Sequence, residues 1–188
     1  MKMLLKNASL ALAILFTSLS LNAQKNADNT VTVGGEAMYP MKNIVENAVN
    51  SKAHTTLVAA VKAAGLVETL QGAGPFTVFA PVNDAFENLP SGTVETLLKP
   101  ENKATLTKVL TYHVVAGKYD FKSLAAKLKK GENTLKTVSG GTLTFMMNGE
   151  RNIAVKDENG NVANINTYDV YQSNGVIHSV DAVLLPKM

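Results

Sequence analysis

The sequence predicts an α+β domain, because its two halves follow different apolar periods. Between residues 41 and 130, apolar side chains recur every three or four positions, which is the spacing of amphipathic helices. From residue 135 onward they alternate with polar ones, and the dipeptide Asn-Gly, typical of tight hairpin turns, occurs three times. A helical first half should therefore pack on an antiparallel second half.

Two segments precede the predicted domain. Residues 1–23 combine Lys2 and Lys6 with an apolar stretch from Leu10 to Phe16, followed by small and polar residues, which is the pattern of a secretory signal peptide. Residues 24–40 are polar and contain glycine without a sustained period, so we predict a flexible amino-terminal tail. The domain itself is predicted over residues 41–187.

The first half is predicted to contain several short helices and a buried strand. Helical spacing places helices around Ile44, from Leu57 to a break at Gly65, and along the stretch that ends at His113. The segment "GPFTVFAP" is apolar and bracketed by prolines, which predicts a buried strand. A last amphipathic helix is expected over "FKSLAAKLKK".

The second half is predicted to be a series of strands joined by tight turns. Asn148-Gly149 and Asn159-Gly160 each separate two alternating segments, and both residue types tolerate the positive φ of a hairpin turn. Asn174-Gly175 introduces a final strand, "VIHSVDAVLL". One or two strands from the middle of the chain should join this sheet.

Charge and cysteine content limit the classes of function. The chain has 18 basic and 15 acidic side chains, but Lys2 and Lys6 lie in the predicted signal peptide, which leaves 16 against 15. This balance does not indicate a nucleic-acid-binding protein. The chain has no cysteine, so it contains no thiolate metal site and no cysteine nucleophile. A domain that folds without disulfides fits bacterial export.

The three histidines do not have the spacing of a metal site. His54, His113 and His178 are about 60 residues apart, without the short fixed intervals that zinc ligands share, and we predict no metal or cofactor. His113 and His178 interrupt apolar runs, where a polar group must be hydrogen-bonded. We therefore interpret both as buried structural residues. Asp181 and Asp84 are further predicted structural residues, and either Asn83 or Asp84 is a natural helix N-cap.

Catalysis by the histidines is disfavoured. In a strand, His178 points to one face while Ser179 and Asp181 point to the other, and the chain lacks a G-x-S-x-G nucleophile elbow. A hydrolase that uses His178 and Asp181 is the least favoured alternative. We predict that the protein is not an enzyme.

Three stretches resemble, in order and spacing, the signature blocks of fasciclin-like domains. They are "GPFTVFAPVNDAF" (74–86), "TYHVVAGK" (111–118) and "NGVIHSVDAVLLP" (174–186). The resemblance covers about residues 40–187. It implies a helical layer packed on an antiparallel β-wedge, in an extracellular adhesion or binding module without a shared catalytic activity.

The resemblance also implies candidate contact residues. In animal matrix members of the family, cell-surface contacts have been attributed to the Tyr-His stretch and to an Asp-Ile pair before the last block. The matching positions here are Tyr112-His113 and Asp169-Val170, with valine in place of isoleucine. Val82 replaces the threonine of the family's Ala-Pro-Thr, so a hydroxyl cap is lost at that position.

We therefore predict an exported bacterial adhesion or binding module, periplasmic or extracellular, that recognises a surface protein or polysaccharide and touches membranes at most peripherally. Exposed side chains would supply the anchors, and the candidates are Tyr39, Tyr168, Tyr171, Lys122, Lys127, Lys129 and Lys130. An alternative is a carrier of a small apolar, lipid-like ligand between helices and sheet, lined by Met146 and Met147. The oligomeric state stays open.

Overall fold

The computed structural model describes residues 30–187, and the α+β prediction is confirmed. The helices are α1 (Ile44–Ala48), α2 (Thr55–Ala64), α3 (Val67–Gln71), α4 (Asn83–Glu87), α5 (Thr93–Leu97), α6 (Lys103–Tyr112) and α7 (Phe121–Lys129), with 3₁₀ turns at Lys52–His54 and Pro100–Asn102. The strands are β1 (Val31–Val33), β2 (Glu36–Met38), β3 (Phe76–Pro81), β4 (Val114–Ala116), β5 (Thr134–Lys136), β6 (Thr142–Asn148), β7 (Asn152–Lys156), β8 (Val162–Gln172) and β9 (Gly175–Val180).

Strands β3 to β9 form one sheet in the order β4-β3-β9-β8-β7-β6-β5. All neighbours are antiparallel except β3 and β9, which run parallel. The two middle strands join the sheet as the sequence predicts. The parallel pair has no local signal, because its partners are separated by most of the domain.

Strand β8 bends the sheet into a wedge. Its pairing with β9 shifts register twice between Ile165 and Val170, and Asp169 in this stretch has φ 56°. The two ends of the sheet then approach each other, since Val115 bridges Thr137 and the Val138 amide donates to the Val114 carbonyl oxygen at 2.8 Å.

Strands β3 and β9 separate two apolar cores. Along β3, Val78 and Ala80 face α2 and α6, whereas Phe79 faces the inside of the wedge. We call the first set the helical core, which also includes Leu57, Ala60, Leu106, Leu110, Val170 and Ile177. We call the second the wedge core, which also includes Tyr112, Leu143, Phe145, Ile153, Val155 and Val180.

The predicted flexible tail is wrong for residues 31–38. β1 and β2 form a hairpin in which Val33 pairs with Glu36, and Val33 and Met38 are buried in the helical core. The reason is visible in "VTVGGEAM": Gly34 and Gly35 form the two-residue loop with φ 61° and 81°. Residues 1–29, including the predicted signal peptide, lie outside the described residues.

The three Asn-Gly pairs serve different purposes. Gly149 and Gly160 adopt positive φ, 77° and 91°, in the turns that join β6 to β7 and β7 to β8. Gly175 instead lies inside β9, where a Cβ atom would come within 2.2 Å of the Phe76 carbonyl oxygen. This glycine is needed for the close approach of β9 to β3.

Candidate functional site

His113 ties α6 to the segment that follows the last strand. Its buried ring places Nδ1 2.9 Å from the Val109 carbonyl oxygen and accepts the Leu184 amide proton at Nε2, also at 2.9 Å. Because a carbonyl only accepts, Nδ1 carries the proton and the ring is neutral. Burial lowers the pKa of His113 to about 4. Neither nitrogen is free, so His113 is a structural residue and its prediction as a binding residue is wrong.

His178 has the same kind of environment in the wedge core. Its Nε2 lies 2.8 Å from the Tyr119 carbonyl oxygen, and Nδ1 accepts the Asp169 amide proton at 3.3 Å. The ring stacks on Phe79 at a centroid distance of 5.6 Å. Burial lowers its pKa, so the neutral form is favoured.

His54 is also buried, at the other face of β9. Its Nδ1 lies 2.9 Å from the Ser51 hydroxyl and its Nε2 lies 3.3 Å from the Ser179 hydroxyl. Burial lowers the pKa of His54 as well. Within residues 30–187, no group of three or more His, Asp or Glu side chains is arranged to hold a metal ion.

The residues of the alternative hydrolase have separate partners. Asp181 accepts the Asn164 amide proton at 2.7 Å through Oδ1 and the Asn164 side-chain amide at 2.9 Å through Oδ2. His178 is bonded to Tyr119 and Asp169 instead. Each group stabilises a different junction of β8 and β9, and the pair does not form an acid–base couple.

Tyr112 is not a surface residue. Its side chain is fully buried in the wedge core, and its hydroxyl donates to the Thr142 carbonyl oxygen at 2.8 Å and accepts the Glu158 amide proton at 3.0 Å. Burial raises its pKa to about 12. The prediction of Tyr112 as a binding residue is wrong, because the helical stripe of α6 turns this ring inward.

The second candidate pair, Asp169-Val170, is mostly internal as well. Val170 is 1% exposed and belongs to the helical core, so it is wrong as a contact residue. The Asp169 carboxylate is half-buried and accepts the Phe121 amide proton at 2.7 Å, at the start of α7. Tyr112 and Asp169 thus contact different segments and do not form a joint surface.

Asp84 is exposed, and no side-chain hydrogen bond to it occurs within residues 30–187, so its predicted structural role is wrong. The neighbouring Asn83 takes this role at a different helix. Its Oδ1 accepts the Thr56 amide proton at 3.1 Å, and its side-chain amide donates to the Lys52 carbonyl oxygen at 2.9 Å. Asn83 therefore fixes the start of α2 to the start of α4.

The predicted lysine patch lies along α7. Lys127 pairs with Glu132 at 2.6 Å, and this hydrogen bond raises the pKa of Lys127. Lys122, Lys129 and Lys130 are exposed and form no ion pair within residues 30–187. The helix presents a basic face next to a packed apolar face, as its period predicts.

Two of the three candidate tyrosines are held by internal bonds. The Tyr168 hydroxyl accepts the Ile153 amide proton at 2.7 Å. The Tyr171 hydroxyl donates to Asp120 at 3.3 Å, and Lys118 lies 4.6 Å above its ring. Both rings are half-buried, so neither has the free exposure expected of an anchor.

Tyr39 differs from the other two because its ring is 45% exposed while its backbone is fixed. The Asn47 side chain accepts the Tyr39 amide proton at 2.9 Å and donates to its carbonyl oxygen at 2.8 Å. Exposed apolar neighbours extend the surface, with Met41 at 89% and Val49 at 47%. We call this surface the Tyr39 patch; its shallow groove is lined by Glu36, Ala37, Tyr39, Lys42, Val49 and Asn50.

An apolar cavity of about 350 Å³ lies between the helices and the sheet. Helices α1, α2 and α3 form one wall, the β1–β2 hairpin another, and β3 and β9 the floor. Its apolar lining includes Val33, Met38, Ile44, Val45, Ala48, Leu57, Val58, Val61, Leu66, Leu70, Phe76, Val78 and Ile177. Met146 and Met147 do not line it, and Met147 is 44% exposed, so the predicted methionine lining is wrong.

The cavity is large for the core of a small domain. An apolar cavity of about 150 Å³ in an engineered protein core already binds benzene. A cavity of this size can therefore hold an apolar molecule larger than benzene.

Sequence reasoning missed the hairpin and the residues that line the cavity, although the alternative carrier function placed an apolar ligand between helices and sheet. The hairpin had a local signal, because Gly34-Gly35 separates two short alternating segments. The lining had no such signal, since its residues come from elements far apart in the chain and look like ordinary core residues.

The structure defines a class of protein: a small α+β domain whose histidines and signature residues support the fold, with an exposed patch and an internal apolar cavity. The chain belongs to the Fasciclin domain family, whose model matches residues 52–186. The resemblance inferred from the three sequence blocks is therefore confirmed. Among the helices of residues 30–187, none has the length and apolar composition needed to cross a bilayer.

Similar proteins occur in several bacteria. Protein sll1483 of Synechocystis is 48% identical over 166 residues, which is 87% of this chain and 84% of that protein. The cell surface glycolipoprotein MPB83 of Mycobacterium bovis is 32% identical over 87% of this chain and 70% of its own length. A solved FAS1 domain pair from the insect cell adhesion molecule Fasciclin I shares the fold, with a TM-score of 0.68 and 18% identity over 78% of this chain and 52% of that one.

Proposed function

We propose that this protein is an exported, non-catalytic binding module of the bacterial envelope, which attaches to a surface protein or polysaccharide through the Tyr39 patch. Export is supported by the sequence of residues 1–23 and by a relative named as a cell surface glycolipoprotein. A binding role is supported by the adhesion molecule that shares the fold. The observation that carries the proposal is the exposed aromatic ring of Tyr39 on a clamped backbone.

The geometry of the Tyr39 patch suits recognition. Because Asn47 holds the backbone of Tyr39 through both its amide and its carbonyl group, little backbone freedom is lost when the ring is covered by a partner. An exposed ring offers a flat apolar surface with a hydroxyl at its end, which suits a sugar ring or an apolar side chain. The Lys42 ammonium lies over one face of the ring, 5.0 Å from its centroid, and leaves the other face for a partner, while Asn50 supplies a further polar group in the groove.

The test measures dose-dependent binding of the purified mature protein to two envelope fractions, the polysaccharides and the surface proteins. Tyr39→Ala should lower binding to one of them by about tenfold or more, as expected for an aromatic anchor. Met147→Ala is the matched control, because Met147 is exposed to a similar extent, 44% against 45%, but lies on β6.

Each outcome is informative. Saturable binding that needs Tyr39 but not Met147 supports the module and its patch. Binding that both variants retain would place the contact elsewhere, and the lysine face of α7 would be tested next. A protein that binds neither fraction at physiological ionic strength is not an envelope-binding module of this kind.

The apolar cavity favours a second function, carriage of an apolar ligand. Its wall spans α1, α2 and α3, and its size falls within the range of about 300–1,000 Å³ that small-molecule sites occupy. Native mass spectrometry of protein isolated from its own envelope should then show a copurified apolar compound of defined mass. A homogeneous ligand-free mass after gentle isolation argues against this function.

A further inference from the structure

We propose that the cavity binds a single-chain fatty acid, with the hydrocarbon tail inside and the carboxylate paired with Lys62 at the opening. This inference rests on the second proposed function and names its ligand class. It is carried by the chemistry of the cavity wall and by the position of the charged residues at its edge.

The interior selects an uncharged, apolar group. Two polar residues of the wall, His54 and His113, are buried, and both ring nitrogens of each are hydrogen-bonded. The partners are Ser51 and Ser179 for His54, and Val109 and Leu184 for His113. They have no free donor or acceptor for a ligand and carry no charge at neutral pH. A charged or strongly polar group placed there would be left without partners, at a large desolvation cost.

The opening carries two charged residues, Glu46 and Lys62. The Glu46 carboxylate already accepts the Asn43 amide proton at 2.8 Å as part of the N-cap of α1. Lys62 is exposed and forms no ion pair within residues 30–187. It follows Val58 by four residues on α2, so its stem lies beside the apolar lining and its ammonium group can reach a ligand at the edge.

Size and charge favour a single-chain anion over other amphiphiles. A volume of about 350 Å³ is near the lower end of ligand sites and suits one hydrocarbon chain better than the two chains of a phospholipid. A cationic head group would be repelled by Lys62 and would have to pair with Glu46, whose carboxylate is already hydrogen-bonded at the N-cap of α1. A carboxylate gains a charge-assisted hydrogen bond at the same position.

The experiment compares decanoate with decanol by isothermal titration calorimetry on the mature protein at pH 7.5. Both should bind through the tail, and decanoate should bind more tightly. Lys62→Glu should weaken decanoate on the order of tenfold and leave decanol unchanged. Lys99→Glu is the matched control, because Lys99 is exposed and does not line the cavity, so it makes the same change in net charge elsewhere.

Two variants that fill the cavity, Ala48→Leu and Val58→Phe, locate the tail. Both line the cavity, and both should abolish binding of decanoate and decanol while the melting curve shows a folded protein. If decanol binds and Lys62→Glu does not discriminate, the carrier function stands and the fatty-acid assignment fails. If neither compound binds to the wild type, or a folded filled variant binds as well as the wild type, the cavity is not the site and the inference is overturned.

Discussion

The two faces of strand β3 are both buried, but they are packed very differently. On the wedge face, Phe79 is 0% exposed. Its ring centroid lies 5.3 Å from that of Phe145 and 5.6 Å from that of His178. On the helical face, Phe76 and Val78 border a cavity of about 350 Å³. Side chains that alternate along β3 therefore face a closely packed core on one side of the strand and a core with a cavity on the other.

The difference in packing indicates that one core contributes mainly to stability and the other can contribute to ligand binding. Close packing maximises the contacts of each side chain, so the wedge core should provide most of the stability. The side chains that line a cavity lack contacts on one side, and a bound ligand would supply them. The helical core is therefore the part of the molecule that can bind a ligand. The histidines follow the same division, with His178 in the wedge core and His54 in the cavity wall.

Truncating one phenylalanine on each face of β3 should produce the largest difference in stability between the two cores. Phe79→Ala should lower the free energy of unfolding by about 3–5 kcal/mol, because it removes a fully buried ring from close neighbours. Phe76→Ala should cost less than half as much, since its ring is half-buried and already borders empty space. Urea unfolding of the two variants measures both values. Equal losses would show that the two faces are packed alike.

Acid tests the buried histidines on both faces. The pKa of His113 is lowered to about 4 in the folded state from about 6.5 when unfolded, so the unfolded state takes up the proton first. Stability is therefore full above pH 6.5 and falls as the pH drops toward 4, by about 3 kcal/mol for His113. The pKa values of His54 and His178 are lowered too, and they add in the same direction.

Unfolding free energies between pH 6.5 and 5 check this prediction. Carboxylates with a lowered pKa, such as those of Asp120 and Glu158, lose their contribution at more acidic pH, so this window reports on the histidines. A stability that stays constant across it would mean that the rings can be protonated without disturbing the fold.

The smallest effect comes from adding volume to each core. Ala48→Leu places extra methyl groups beside the cavity and should change the unfolding free energy by less than about 1 kcal/mol or raise it. Ala163→Leu makes the same change in the wedge core, where Ala163 is 0% exposed, and should cost about 1–3 kcal/mol. Thermal melts of the two variants measure the two changes in stability. A larger loss of stability for Ala48→Leu than for Ala163→Leu would show that there is no free space beside Ala48.

Much of the fold could be predicted from the sequence, because its signals are local. Helical spacing located α2 and α6, Gly65 ended α2 with φ 72°, and the Asn-Gly pairs separated the strands of the second half. The apolar flanks of His113 and His178 indicated internal, hydrogen-bonded rings. The β1–β2 hairpin also has a local signal, the Gly34-Gly35 pair, whose positive φ forms its loop.

The candidate site could be predicted far less. Family positions suggested Tyr112 and Val170 as contacts, but α6 and the bend of β8 turn both inward. Asn83 and Asp84 both had the residue type of an N-cap, but of the two it is Asn83 that makes the bonds, and it does so at α2 instead of α4. Whether a side chain points inward or outward at a bend or helix end depends on neighbours distant in sequence.

The sequence by itself determined the class of fold, the order of its elements and the polar groups that lie inside it. These features follow from the spacing of apolar residues and from turn residues, which act over a few positions. Only the tertiary structure decided that β3 and β9 run in parallel, that Tyr39 stays exposed and that a cavity opens beneath α1, α2 and α3. The physical reason is that a cavity is set by the distance between packed elements, and that distance depends on all the side chains between them at once.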